Sequence, residues 1–224
     1  MWSDLRATRL SIKNAGPCGQ APPGCSGKRL VVRMSAKSPL HEMLAIGDLR
    51  SDGLSREAAA LVLQNPHLIP ELVDVLLTGS PAARGHAAEA IERVSRSRQQ
   101  LVSPYMVEIL PLAAQDGVAM VRWHIGMLLT NQVVSALAAK TVVPVLIGQL
   151  SDRSAFVRSW AISGLCIIAR RYPGMKRLVL RQLRSMDRDP MISVRHRAQT
   201  AIRVLLDDSA PIPATWAKAT SRDS

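Results

Sequence analysis

Apolar and polar positions follow the period of an α-helix along most of this chain, and one helical pattern returns five times. In each stretch an arginine is preceded by a small or apolar residue, and small or apolar residues follow it three and seven positions later. These positions lie on one face of a helix. The pattern therefore predicts five helices that each bury one apolar stripe. We call their arginines the arginine column: Arg56, Arg84, Arg122, Arg158 and Arg195.

The arginine column repeats at intervals of 28, 38, 36 and 37 residues. A period of this size is typical of helical repeat proteins, in which stacked hairpins bury the apolar stripes that a single hairpin leaves exposed. We therefore predict an all-α fold, a right-handed α-solenoid of about five antiparallel helical hairpins. The predicted helix pairs span residues 41–49 and 55–64, 67–77 and 82–96, 104–114 and 119–131, 142–150 and 155–170, and 175–186 and 192–206.

The two ends of the chain lack this pattern. Residues 1–37 are basic, rich in Gly and Pro and without a helical period, which predicts a disordered or mis-assigned N-terminal extension, with Met34 as an alternative start. The same segment also resembles an organellar transit peptide. Residues 38–207 are predicted to form the repeat domain, and residues 208–224 a polar C-terminal tail.

The cysteines and the apolar runs bear on localisation. The three cysteines, Cys18, Cys25 and Cys166, form no CxxC motif and no disulfide pattern. No apolar run reaches the roughly 18 residues that a membrane span needs. We therefore expect a protein of the reducing cytoplasm that makes no contact with a membrane.

Three members of the arginine column follow an aspartate at a fixed distance of six residues. The pairs are Asp116 with Arg122, Asp152 with Arg158, and Asp189 with Arg195. An apolar residue precedes each of these arginines, and an alanine follows two of them by three positions. This motif resembles that of the HEAT-repeat family, including its short bacterial HEAT-like branch. The resemblance covers about residues 40–206.

The resemblance implies a structural role for these six residues. Each aspartate would lie in the turn between paired helices, and each arginine would project from the second helix. Charge-assisted hydrogen bonds between them would then link adjacent repeats as a ladder. The first two units depart from the motif, with Arg50 and Thr78 where an aspartate is expected. We therefore expect a weaker ladder in those units.

The sequence offers little for catalysis. It has no Gly-rich phosphate loop, no HExxH motif and no nucleophile elbow. HEAT-like hydroxylases hold a di-iron centre with several His-Glu pairs, whereas this chain has one, His41-Glu42. His86 and His124 both follow the column by two positions, but no Asp, Glu or Cys repeats at a matching position to complete a metal site. We therefore expect no catalytic residue, no metal and no cofactor.

The formal net charge of +12 is unevenly distributed, with −5 over residues 38–92 and +11 over residues 93–224. In the densest basic stretch, four arginines recur at i, i+4, i+7 and i+11, which places three on one helical face and the fourth just beyond its end. We call these four the basic face: Arg177, Arg181, Arg184 and Arg188. Such a face suits phosphates or an acidic protein surface.

Four more residues are candidates for binding a partner because they follow the arginine column by one or two positions. They are Trp123, His124, Trp160 and Arg197. In the predicted solenoid they would face the concave groove. The alternative for each tryptophan is a partly buried packing residue.

We therefore predict a non-catalytic scaffold or adaptor that binds a protein partner on its concave surface and on the basic face. An alternative is a DNA-interacting protein similar to HEAT-like alkylpurine DNA glycosylases, which hold DNA with aromatic residues and an acidic group. Against this alternative, the helices of the last three column arginines contain no carboxylate, while Glu89 and Glu92 lie in an earlier helix. A further alternative is a lyase-type subunit that handles a bilin, which no residue here specifically supports. The sequence leaves the oligomeric state open.

Overall fold

The structure of this protein is a computed structural model that describes residues 39–216. The chain divides into one unit of residues Met1–Ala36 and another of residues Lys37–Ser224. All described residues belong to the second unit. The predicted N-terminal extension with Met34, and residues 217–224 of the predicted tail, lie outside the described residues.

Residues 39–216 contain twelve α-helices and no β-strand, so this part of the chain is all-α as predicted. Short 3₁₀ turns occupy some of the connections. The helices are α1 (Pro39–Leu44), α2 (Ser55–Gln64), α3 (Ile69–Thr78), α4 (Pro81–Ser97), α5 (Gln99–Val102), α6 (Met106–Ile109), α7 (Leu112–Gln115), α8 (Ala119–Gln132), α9 (Ala136–Gln149), α10 (Ala155–Arg171), α11 (Lys176–Ser185) and α12 (Ile192–Leu206).

Local sequence sets the ends of the long helices. Helix α4 begins at Pro81, where a missing N–H costs nothing, and the Ser80 hydroxyl accepts a hydrogen bond from the Ala83 N–H at 3.3 Å. Helix α10 ends where Tyr172 precedes Pro173, because a proline disfavours helical backbone at the residue before it.

Three predicted helices differ from those observed. The helix predicted over residues 41–49 is shorter, since α1 ends at Leu44. The helix predicted over residues 104–114 is divided into α6 and α7. Pro111 lies between them and has no N–H to donate to the backbone hydrogen bonds of a continuous helix. The helix predicted from residue 142 begins earlier, at Ala136. The Ser135 hydroxyl caps it by accepting from the Ala138 N–H at 3.1 Å, and the helix continues through Pro144.

The helices that carry the arginine column pack side by side in chain order. Helix α2 contacts α4, α4 contacts α8, α8 contacts α10, and α10 contacts α12. Each of them also packs against a helix that precedes it, for example α3 against α4 and α11 against α12. The predicted apolar stripe lies in these contacts and is fully buried in α4, α8 and α10. Its residues there are Ala87, Ile91, Ile125, Leu129, Ala161 and Leu165.

Arg122 and Arg158 join neighbouring units through the carboxylate of the following unit. Arg122 donates to Asp152 from Nε at 2.6 Å and from Nη2 at 2.9 Å. Arg158 makes the same pair of bonds to Asp189, also at 2.6 and 2.9 Å. All four side chains are largely buried. This planar, two-pronged geometry is the strongest form of a charge-assisted hydrogen bond.

The third nitrogen of each guanidinium, Nη1, donates to a backbone carbonyl of its own unit. Arg122 donates from Nη1 to the carbonyl of Asp116, and Arg158 donates from Nη1 to the carbonyl of Asp152, both at 2.7 Å. The aspartates in turn fix the start of the next helix, as when the Asp152 carboxylate accepts from the Ser154 N–H at 2.7 Å. One arginine therefore holds two successive interhelical turns at once.

These contacts also set the ionisation of the aspartates. Burial opposes the charged form of Asp152, but hydrogen bonds from Arg122 and from the Ser154 N–H outweigh it, so the pKa of Asp152 is lowered. The pKa of Asp189 is lowered in the same way, against burial, by Arg158 and the Met191 N–H. Both carboxylates are therefore charged at neutral pH and attract the guanidinium groups fully.

The ladder weakens towards the N-terminus, as its incomplete motif predicts. Arg84 reaches the carboxylate of Asp116 by a single contact of 3.2 Å instead of two hydrogen bonds. Arg56 is exposed. It makes no hydrogen bond or ion pair within residues 39–216.

Another side chain holds the first unit in place. His86 of α4 is fully buried, and its ring nitrogens lie 2.8 Å from the carbonyl of Leu44 and 3.1 Å from those of Asp48 and Ser51. The loop passes this close because Gly53 has a φ of 51°, and a Cβ there would lie 2.7 Å from the imidazole. His86 thus replaces an arginine–aspartate pair and is not a surface residue.

The ladder yields a prediction about stability. We expect Arg158→Ala to lower the free energy of unfolding by about 3–5 kcal/mol, because it leaves the buried Asp189 carboxylate without its counter-ion. The matched control is Arg195→Ala in the same column. Within residues 39–216, Arg195 donates only to the Asp189 and Pro190 carbonyls, so its loss should cost about 1 kcal/mol. Urea unfolding followed by circular dichroism measures both, and equal midpoints would contradict the ladder.

Candidate functional site

A polar cleft of about 520 Å³ crosses α4, α8 and α10. Its walls combine hydroxyls, amides, arginines and two indoles, with contributions from Glu92, Asn131, Trp160, Ser163, Arg171 and Trp216. Most of these residues lie on helices of the arginine column, beyond the arginine towards the C-terminal end of each helix. The cleft is therefore built from the same packed layer that the ladder holds in register.

Glu92 supplies a buried carboxylate on one wall of the cleft. The residue is 1% exposed, and its oxygens accept hydrogen bonds from Arg96 on the same helix and from the Asn131 amide of α8 at 3.0 Å. The Asn131 amide also donates to the Ser95 hydroxyl at 3.0 Å. This network ties α4 to α8 and presents polar groups to the cleft.

The position of Glu92 corrects one step of the sequence argument. The sequence places Glu92 in an earlier helix than Trp160, which argued against an acidic group beside that tryptophan. In the structure both residues line the same cleft. The sequence misses this because it fixes the register within a helix but not the displacement of α4 relative to α10.

Arg197 of α12 contacts the two tryptophans that line the cleft. Its guanidinium carbon is 5.2 Å from the centre of the Trp160 ring and 5.5 Å from that of Trp216. Nη1 donates to the Ser163 hydroxyl at 2.9 Å. Burial lowers the pKa of Arg197. Within residues 39–216 no carboxylate pairs with it, so the indole faces partly compensate its charge.

The two other residues predicted for the concave groove are placed differently. His124 is 3% exposed and cannot touch a partner, so the prediction that it binds one is corrected. It is buried because α4 and α10 both pack against α8. Trp123 is half-buried, does not line the cleft, and stacks on the exposed Phe156 ring at a centroid distance of 5.2 Å. Trp123 therefore serves mainly as a packing residue between α8 and α10.

The basic face forms a separate surface on α11 and the 3₁₀ turn that follows it. All four of its arginines are exposed, whereas Val179 and Leu183 on the opposite side of α11 are fully buried. None of the four makes a hydrogen bond or ion pair in the described part of the chain. Nearby cations are engaged, since Arg170 binds backbone carbonyls and Lys176 pairs with Asp208.

Groups that could perform chemistry are scarce in the described residues. No three His, Cys, Asp or Glu side chains between residues 39 and 216 gather as a metal site. Cys166 is buried, and burial raises the pKa of its thiol to about 12, so the thiolate nucleophile does not form at neutral pH. Over the same residues, no helix combines the length and apolarity needed to cross a bilayer.

The stacked arginine yields a prediction. We expect Arg197→Ala to destabilise the protein by about 1–2 kcal/mol, because two cation–π contacts are lost. Tryptophan emission should also shift to longer wavelength as water reaches the two indoles. The control is His196→Ala, which removes an exposed side chain from the neighbouring position. Equal emission spectra for the two variants would show that the stack does not form.

Comparison with known proteins does not identify a family for this chain. No protein-family model matches the chain, and no curated protein matches it. The resemblance to HEAT repeats accordingly rests on the arginine and aspartate motif itself. The geometry of the cleft and of the basic face is what supports a functional proposal.

Proposed function

We propose that this chain is a non-catalytic HEAT-like scaffold that binds an acidic protein partner. The architecture we propose is a right-handed α-solenoid of about five helical hairpins, with α2, α4, α8, α10 and α12 on its concave side. Two observations support it. These helices contact one another in chain order, and the same arginine–aspartate bond joins α8 and α10 to the turns that follow α9 and α11.

The basic face is the observation that supports an acidic protein partner. Arg177, Arg181 and Arg184 project from one side of α11, and within the described residues no acidic side chain neutralises them. Guanidinium groups are well suited to bind carboxylates in pairs of hydrogen bonds. An acidic protein segment is therefore a fitting partner for this face, and the cleft offers a second contact on the other layer. The proposal places the scaffold in the cytoplasm, on its cysteine usage.

A charge-removal experiment tests the acidic partner. We expect Arg177→Gln/Arg181→Gln/Arg184→Gln to weaken binding of polyglutamate on the order of tenfold, since exposed ion pairs contribute about 0.2–1 kcal/mol each. Fluorescence anisotropy at low salt measures this.

The matched control removes three exposed cations elsewhere, as Arg50→Gln/Arg56→Gln/Lys140→Gln. It should keep nearly the original affinity. Affinity capture from lysate with both variants extends the test to natural proteins, because a specific partner should be retained by the control and lost by the basic-face variant. Equal loss in the two variants would leave only general attraction by the net charge of +12.

A second candidate is a DNA-interacting protein of the alkylpurine DNA glycosylase type. The observation that favours it is the shared cleft of Glu92 and Trp160, which brings together an acidic group and an aromatic ring. The basic face would supply phosphate contacts. No aromatic residue lies among its four arginines, so any recognition through this face would be largely independent of sequence.

Duplex DNA titrated at several salt concentrations tests this candidate. If DNA is bound through the basic face, affinity should fall steeply with salt, and the triple arginine variant should reduce the slope of log K against log salt by up to about 3. Glu92→Gln should leave that slope unchanged, because Glu92 makes no phosphate contact. Absence of DNA binding at low salt would exclude the candidate.

A further inference from the structure

The segment that follows the last helix packs back onto the protein. We call residues 207–216 the C-terminal segment; it contains turns but no helix. Its last residue, Trp216, is 8% exposed, stacks on Arg197 of α12 and forms part of the cleft wall beside Trp160. Ala210 and Ile212 pack against the core as well. The sequence predicts a polar tail from residue 208, so this docking is a finding of the structure.

Side chains of α10 and α11 hold the beginning of this segment. Arg170 donates to the carbonyls of Val204 and Asp207 at 2.5 and 2.9 Å, and to that of Asp208 at 2.7 Å. Lys176 pairs with the exposed carboxylate of Asp208 at 3.3 Å. Arg170 therefore caps the carbonyl end of α12 and fixes where the segment leaves that helix.

Beyond its first residue, the segment shares no backbone hydrogen bond with the helices within the described residues. The Asp207 N–H donates to the Arg203 carbonyl of α12, whereas the N–H groups of Ser209, Ala210 and Trp216 bond to Asp207 and Pro213 inside the segment. Trp216 is therefore held by its side chain, which stacks on a guanidinium and forms part of the cleft wall. Such a contact can exchange without unfolding any helix.

We propose that the surface formed by Trp160, Ser163 and Arg197 is a peptide-binding site, and that the C-terminal segment occupies it in cis through Trp216. The ligand it fits is a non-helical segment that carries a tryptophan, placed over Arg197. A partner must displace the protein's own Trp216 to bind there, so the segment regulates access to this site. The proposal rests on the proposed function in one respect, that the cleft side receives a protein segment.

Intramolecular competition makes the proposal measurable. A tethered segment has an effective concentration on the order of millimolar at its own site, so a free peptide competes poorly until the cis contact is removed. Trp216→Ala removes the stacked indole and leaves Arg197, Trp160 and Ser163 in place. The vacated site should then accept an indole from a peptide in trans.

The experiment titrates full-length protein into a fluorescein-labelled peptide with the sequence of residues 207–216. We expect Trp216→Ala to bind this peptide at least about tenfold more tightly than the unmodified protein, because the indole of its own segment no longer competes for Arg197. Thr215→Ala alters the exposed neighbouring residue and should bind as weakly as the unmodified protein. A peptide with alanine in place of its tryptophan should not bind, and neither should the Arg197→Ala/Trp216→Ala double variant.

Three results would overturn the proposal. Equal peptide binding by Trp216→Ala and Thr215→Ala would show that no site is vacated. Folded Trp216→Ala that binds no peptide would show that the site has no affinity in trans. Loss of helical circular dichroism in Trp216→Ala would make the segment an obligatory part of the core. Asp208→Ala provides a second variant that only loosens the tether, and it should increase peptide binding several-fold by weakening the cis competitor.

The failure of this proposal is distinguishable from that of the proposed function. The peptide carries Asp207 and Asp208, so this comparison is made at high salt, which screens the exposed arginines of α11. There the basic-face variant should bind the 207–216 peptide like the unmodified protein, since α11 lacks the stacking residues. Trp216→Ala should keep the affinity for polyglutamate, since the basic face is unchanged. Loss of one binding activity without the other therefore identifies which proposal is wrong.

Discussion

The structure depends on a guanidinium group that binds two turns at once. Arg122 satisfies the carbonyl of Asp116 in its own unit and the carboxylate of Asp152 in the next, and Arg158 does the same with Asp152 and Asp189. Each aspartate also fixes the start of a helix. The planar guanidinium group therefore sets the position of one helix relative to the next. The apolar stripe alone would fix the register of neighbouring helices less sharply, since the hydrophobic effect has no preferred direction.

The same interaction divides the arginines of this basic chain into two classes. Column arginines of α8 and α10 are buried and their donors are used, so they are not available to a partner. The arginines of α11 project from the opposite side of a helix whose apolar residues face the core, and within the described residues nothing neutralises them. The net charge therefore does not show which arginines are open to a partner. The hydrogen bonds and ion pairs of each arginine do.

Sequence predicts this protein well where a local period controls the structure. The bounds of α8, α10 and α12 and the buried stripe follow from spacing within about forty residues. The ladder role of the aspartates follows from the resemblance to HEAT repeats. It fails where packing between helices decides. His124 and Trp160 both follow a column arginine by two positions, yet His124 is buried and Trp160 lines a cleft. The shared cleft of Glu92 and Trp160 depends on how far α4 is displaced along α10. The docking of Trp216 is not predictable from the sequence, because the C-terminal segment has no helical period.

Arg197 shows how an arginine outside the ladder can be stabilised. It is half-buried, and between residues 39 and 216 it has no carboxylate partner, so its environment consists of two indole faces and the Ser163 hydroxyl. One of those faces belongs to a segment without helical structure. In the exchange that we propose, Trp216 covers the guanidinium in cis, and its departure exposes a cation beside Trp160. The position of the C-terminal segment then sets both the space and the charge at this end of the cleft, and with them the kind of ligand that can bind.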